Sequence, residues 1–185
     1  MSEPLRRGGR GILPDGARIS WSVAEGTRGR RWRAVTTFDG RAVRGLLLEL
    51  DQAGRPTRLE VTAADGLLTL HPGPADDGLH GNVVRPAGVD HLAFAWTPEH
   101  VLFVEGLPLV AAAAVHRLAA QAGVGEAHDR PAVVVDAALR CHATTCRLTR
   151  LGGGRWRVES GAAAIEIALD PDGLPADDEG WPLEI

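Results

Sequence analysis

The stretch Trp32-Arg33-Ala34-Val35-Thr36-Thr37-Phe38-Asp39-Gly40-Arg41-Ala42-Val43-Arg44-Gly45-Leu46-Leu47-Leu48-Glu49-Leu50 decides the reading of the fold. In an extended chain side chains alternate between two faces, so Trp32, Ala34, Thr36 and Phe38 fall on one side. After Asp39-Gly40 the same two-residue period returns in Leu46, Leu48 and Leu50. Asp-Gly between alternating runs is a hairpin signal, because a tight turn needs positive φ at its central residues. Two half-buried antiparallel strands are expected here.

Outward from this hairpin the pattern repeats. Ile19-Ser20-Trp21 precedes it; Asp51-Gln52-Ala53-Gly54 turns the chain into Leu59 and Val61, which alternate with Arg58, Glu60 and Thr62. Asp65-Gly66 leads into Leu68 and Leu70, and Pro72 to Gly81 reads as a loop of about ten residues, long for a hairpin. Asp90, Leu92, Phe94 and Trp96 share a strand face, Thr97-Pro98-Glu99-His100 turns, and Val101 to Glu105 follows as a strand. Val133-Val134-Val135 is a β-branched run suited to a buried strand. Cys146 to Leu151 and Arg155 to Ser160 flank Gly152-Gly153-Gly154 as a hairpin, and Ile165, Ile167 and Leu169 alternate before Asp170-Pro171-Asp172-Gly173. Leu109 to Ala122 fits helix and strand equally, being alanine-rich yet uniformly apolar. The expectation is a mainly β protein of about ten strands with one or two short helices.

Composition narrows the class. The 185 residues are 44% apolar and 24% charged, and all 20 basic residues are arginine; there is no tyrosine. Residues 1–33 hold eight arginines against Glu3, Asp15 and Glu25, a balance of +5; with a formal net charge of −4 overall, the remainder carries −9. An acidic body repels phosphates, so nucleic acid is not the expected partner, and residues 1–16 read as a disordered basic tail ahead of a single domain over 17–185. The longest apolar run, Leu107 to Val115, is shorter than the roughly 18 residues of a membrane span, and no apolar stretch follows the N-terminal charges as a secretory signal requires. A cytoplasmic location is expected, with Cys141 and Cys146 as free thiols.

Candidate chemistry is sparse. His80, His91 and His100 lack the paired short spacing of a zinc motif, and the sequence calls for no metal or cofactor. Cys141 and Cys146 are five residues apart, so on one strand they point to opposite faces and share no ligand. Asp90 is the most suggestive carboxylate, since strand parity sets it beside Leu92, Phe94 and Trp96, where desolvation would make it an acid or base. His116 and Arg117 close the alanine-rich stretch and suit an anionic or hydroxylated head group.

Val89-Asp90, Thr97-Pro98, Leu107-Pro108, Arg117-Leu118, Arg157-Val158-Glu159-Ser160 and Asp170-Pro171-Asp172-Gly173-Leu174, in that order, resemble the landmarks of the glycolipid-binding family of small bacterial proteins. Cys146, Trp156 and Trp181 stand where that family often has tyrosine. Ile19-Ser20-Trp21 and the stretch from Leu48-Glu49-Leu50-Asp51 to Thr57-Arg58 look like its first strands, so the likeness covers residues 19 to 182. The family's Thr-Asn pair between its Thr-Pro and Leu-Pro landmarks does not occur here. The resemblance implies an antiparallel spiral β-roll or half-barrel, similar to lipoprotein carriers, and it brings no catalytic set.

Three functions compete on these residues. The first is binding of a hydrophobic small molecule, lipid or glycolipid-like, in an apolar cleft walled by Trp32, Phe38, Leu48, Phe94, Trp96 and Phe103, with Asp90, His116 and Arg117 at its polar end. The second is a small-molecule enzyme, a cyclase, isomerase or hydrolase, using Asp90 or His116 as acid or base in that cleft. The third is a structural subunit that buries an apolar strand face in a homodimer.

Overall fold

The computed structural model describes residues 6–13, 15–73, 78–161 and 163–176, and these form a mainly β fold. Eight strands run as a continuous antiparallel meander: β1 (Arg6–Ile12), β2 (Arg18–Gly26), β3 (Gly29–Phe38), β4 (Arg41–Leu50), β5 (Pro56–Ala63), β6 (Gly66–Pro72), β7 (Leu79–Arg85) and β8 (Gly88–Phe94). This sheet curls into a half-barrel. Its register explains the curl's filling: Val23, Trp32, Leu48, Leu59 and Leu70 are direct cross-strand partners and line one inner row. Trp21, Ala34, Leu46, Val61, Leu68 and Val83 line the next. Every residue of both rows is buried. Trp21 lies across Gly9 of β1, where a Cβ would come within 2.6 Å of the indole, so only glycine admits the ring.

The second sheet has the order β13-β12-β11-β10-β9, built from β9 (Val101–Val104), β10 (Ala127–Val135), β11 (Cys141–Gly152), β12 (Arg155–Ser160) and β13 (Ala163–Ala168). β9 and β10 pair in parallel, which needs a crossover rather than a hairpin, and α1 (Pro108–Leu118) supplies it. That demand resolves the ambiguity of the alanine-rich stretch in favour of helix. Pro108 stands in the first turn, where its missing N–H costs nothing. At the other end Arg150 Nη1 donates to the carbonyls of Ala119 at 3.2 Å and Ala122 at 2.6 Å.

The helix is buried on two sides. Leu109, Val110 and Ala113 join Leu102, Val104, Val133 and Val135 in the core that fills the half-barrel. Ala111, Ala112, Val115 and Leu118 pack with Phe103, Cys146, Leu148 and Trp156 in a second core on the other face of the five-stranded sheet. Small alanines let the backbone sit close to both.

Several expectations change. The basic tail is partly strand: residues 6–12 pair with β2 along their whole length, because Gly8 and Gly9 fit against Trp21. The loop at Pro72 to Gly81 is shorter than expected, since Pro72 still pairs with Leu79 and His71 with His80; residues 74–77 lie outside the described ones. Phe38 keeps the parity of Trp32 but stands at the hairpin tip, one residue past the last β2 pair Arg18↔Thr37, and is 49% exposed. Trp181 falls outside the described residues.

Trp32 and Phe38, which the alternation placed together, should therefore respond differently. Trp32→Ala should cost about 3–5 kcal/mol in urea unfolding, the loss of a fully buried aromatic. Phe38→Ala should stay within about 0.5 kcal/mol of the parent.

Candidate functional site

A cleft of about 990 Å³ opens where the ends of several elements meet: the β2–β3 and β4–β5 turns, the last turn of α1, the glycine turn at 152–154 and the turn at 170–173. Leu50, Ala113, Trp156 and Leu169 supply its apolar surface, while Glu25, Arg30, Asp51, Arg150 and Asp170 bring charge of both signs. His116 and Arg117, expected as a polar head-group pair, both line it.

His116 is the centre of this arrangement. It sits in the last turn of α1 and is half-buried against the turn Asp170-Pro171-Asp172-Gly173. Gly173 has φ +74°, and a Cβ there would fall 1.9 Å from His116 Nδ1, so glycine alone lets the turn lie on the ring. The turn is shaped from within by Asp170 Oδ1, which accepts from the backbone N–H of Asp172 and of Leu174 at 2.9 Å each. From outside, Arg7 reaches Asp170 at 2.6 Å and Asp172 at 3.2 Å, and Arg30 Nη1 donates to the Asp172 carbonyl at 3.0 Å.

Burial holds the His116 imidazolium below its ordinary pKa, and the Arg30 charge adds to this; Glu25, Asp170 and Asp172 act the other way. The ring makes no hydrogen bond among the described residues. His116 thus presents a neutral imidazole to the cleft, one nitrogen a donor and the other an acceptor.

Arg117 plays a different part from the one expected. Its guanidinium donates to the carbonyls of Pro98 at 3.1 Å, His100 at 3.3 Å and Glu99 at 3.5 Å, pinning the 97–100 turn to the helix. Burial also lowers its pKa. It offers the cleft its stem, which packs on Gly54, more than an open fork.

The residues expected to wall an apolar cleft do not meet in one. Trp32, Leu48 and Trp96 are buried in the half-barrel core, with Phe94 packed half-buried against it, while Phe103 belongs to the other core. The small cavity beside Leu48, Leu102 and Val110 measures about 10 Å³, room for at most one water. Asp90 keeps the parity expected of it and continues the inner row after Val83, but on edge strand β8 that row has left the core. Its carboxylate is 67% exposed and bound to Arg85 at 2.6 Å, outside the cleft. His116 and Asp90 therefore share no site.

Other candidates resolve into structure. Cys141 packs against one core and Cys146 lies in the other, on opposite faces as spacing requires. Burial raises both thiols, Cys141 to about 11 with help from Asp136. His71, His80 and His91 gather with Asn82 around a shallow outer pocket, and His91 Nδ1 meets Asn82 Oδ1 at 2.6 Å. Among the described residues no three ligating side chains are placed to hold a metal. His100 Nδ1 accepts from the Thr97 N–H at 2.9 Å, with its ring on Trp96. Sequence reasoning missed Arg30, Glu25, Asp51 and Asp170 as cleft groups; the only trace was their position in or beside glycine-bearing turns.

No family model matches this chain, and no curated protein does. Among solved structures it is similar to a DUF1089 family protein from Pseudomonas aeruginosa, with a TM-score of 0.53 and 19% identity over 97% of this chain and 91% of that one. At this identity the likeness establishes the fold. No helix among the described residues is long and apolar enough to cross a membrane.

The state of His116 is measurable. Its imidazole should titrate below the ordinary histidine value by proton NMR. Because the unfolded chain takes up that proton more readily, stability should be full above the ordinary histidine pKa. It should fall as pH drops from there toward the folded value, and His116→Gln should flatten this part of the stability profile.

Proposed function

We propose that the protein binds a small molecule with a hydroxylated, glycolipid-like head, and that the head sits in the cleft around His116. The single observation that carries this reading is the half-buried His116 imidazole facing the cleft, without a hydrogen-bond partner among the described residues. A hydroxyl is at once donor and acceptor, and so is a neutral imidazole, which makes the two self-matching. Glu25, Asp51 and Arg30 around it are the groups that take up further hydroxyls, while Trp156, Leu169 and Leu50 offer apolar surface to a sugar ring or the start of a chain. Gly26, Gly29, Gly54 and Gly153 keep the walls bare, so backbone groups can approach a ligand closely. The ordered landmarks shared with the glycolipid-binding family point to the same class of ligand.

Since the half-barrel interior is packed, an alkyl tail has no slot there and would leave through the open mouth of the cleft. The head is then the part that is recognised. An acid–base enzyme working in the same cleft is the second reading, and the free His116 is what favours it; Asp90 takes part in neither.

Titration calorimetry with monomeric n-octyl β-glucoside tests the proposal. Saturable binding is expected, weakened about tenfold in His116→Ala, the loss of one good hydrogen bond. Asp90→Asn should bind like the parent. A folded parent that gives no heat and no chemical-shift change would sink the binding reading.

A further inference from the structure

The outward face of β1–β4 carries a feature that the cleft does not use. Register places Arg6, Arg10 and Ile12 of β1, Arg18, Ser20 and Ser22 of β2, and Arg31, Arg33 and Val35 of β3 on this one face. Five of these are arginines and none is a carboxylate, on a protein whose formal net charge is −4; β4 adds Glu49 to the same face, opposite Arg31. Arg31 is tied to Glu49; Arg6, Arg10, Arg18 and Arg33 are exposed and ion-paired to nothing among the described residues. Charge of one sign has been segregated here.

Apolar side chains are set among those charges. Ile12 is 60% exposed beside its register partner Arg18, and Val35 and Val43 are 45% and 44% exposed. These groups lie toward the strand ends remote from the cleft, which the opposite turns of the same strands bound. Phe38 and Arg41, which close the Asp39-Gly40 turn, have the parity of Trp32 and are no part of this face.

A nucleic acid would call for a groove tracking phosphates and several aromatic rings to stack bases. This face is an open sheet surface whose exposed apolar groups are the three aliphatic side chains of Ile12, Val35 and Val43. That mixture suits the membrane interface, where guanidinium groups meet lipid phosphates while apolar side chains enter the acyl boundary. We propose that the outward face of β1–β4 docks on an anionic lipid surface, with Arg10, Arg18 and Arg33 on the headgroups and Ile12, Val35 and Val43 below them. Docking uses no cleft residue, so it stands or falls apart from ligand binding.

Co-sedimentation with vesicles of phosphatidylcholine, alone or mixed with phosphatidylglycerol, tests the proposal on the full chain. Binding is expected only to the mixed vesicles and should weaken as salt rises. The triple variant Arg10→Gln, Arg18→Gln, Arg33→Gln should partition about a hundredfold less, roughly fivefold per arginine. Ile12→Ser should weaken binding while leaving its salt dependence in place. Thermal melts of the variants should match the parent, because every replaced side chain is exposed. Equal binding to both vesicle types, parent-like binding by the triple variant, or no binding by the folded parent overturns the proposal. So does retention of this face by duplex DNA or by a second copy in sedimentation without vesicles, with vesicles left unbound.

Discussion

Backbone carbonyls stranded where one element meets another limit how this fold can close, and arginine meets that constraint. Arg44 donates to the Glu105 carbonyl, Arg85 to Ala138, Arg30 to Asp172, Arg117 to the 98–100 carbonyls and Arg150 to the end of α1. Most of these contacts join the half-barrel to the five-stranded sheet or to the segments around it. A guanidinium can reach several carbonyls at once with a fixed fork, which a lysine ammonium cannot do with the same geometry. The all-arginine basic set thus has structural work as well as surface charge. Cohesion comes from the two apolar cores, and exposed pairs such as Arg7–Asp170 add about 1 kcal/mol or less each.

The strands were legible because a half-barrel with one wet face imposes a two-residue period on every segment, as in β3, where Trp32, Ala34 and Thr36 are buried and Arg31, Arg33 and Val35 are not. What the period does not carry is how far a row stays covered. Asp90 has the parity of Val83 and Leu92, yet it sits on the last strand of the meander, where nothing folds over it. Phe38 fails for the same reason, since it keeps the parity of Trp32 but stands at a hairpin tip beyond the last β2 pair. Helix and strand could not be separated at 109–122 because the helix is buried on two sides and so lacks a polar stripe; the parallel pairing of β9 with β10 decides it.

The cleft was less legible still. It is made of turns and a helix end, contributed by segments far apart in the sequence, and no local pattern announces such a meeting. His116 and Arg117 were visible only as polar residues ending an apolar run. The residues expected to hold a ligand instead hold the protein: Trp32 and Leu48 fill one core and Phe103 the other. Aromatic and aliphatic side chains on a strand face signal burial, and a closed interior satisfies that signal as well as a binding cavity does.

Arg7 and Asp170 are separated by 163 positions along the chain, and their contact stands beside the turn that rests on His116. The first strand and the last turn must both have found their places before that wall of the cleft exists. Contacts of such separation close late, after the entropy of the intervening chain has been overcome by the cores. A nascent or partly opened chain therefore has a formed half-barrel well before it has a site. Completion of the fold and completion of the cleft are one event.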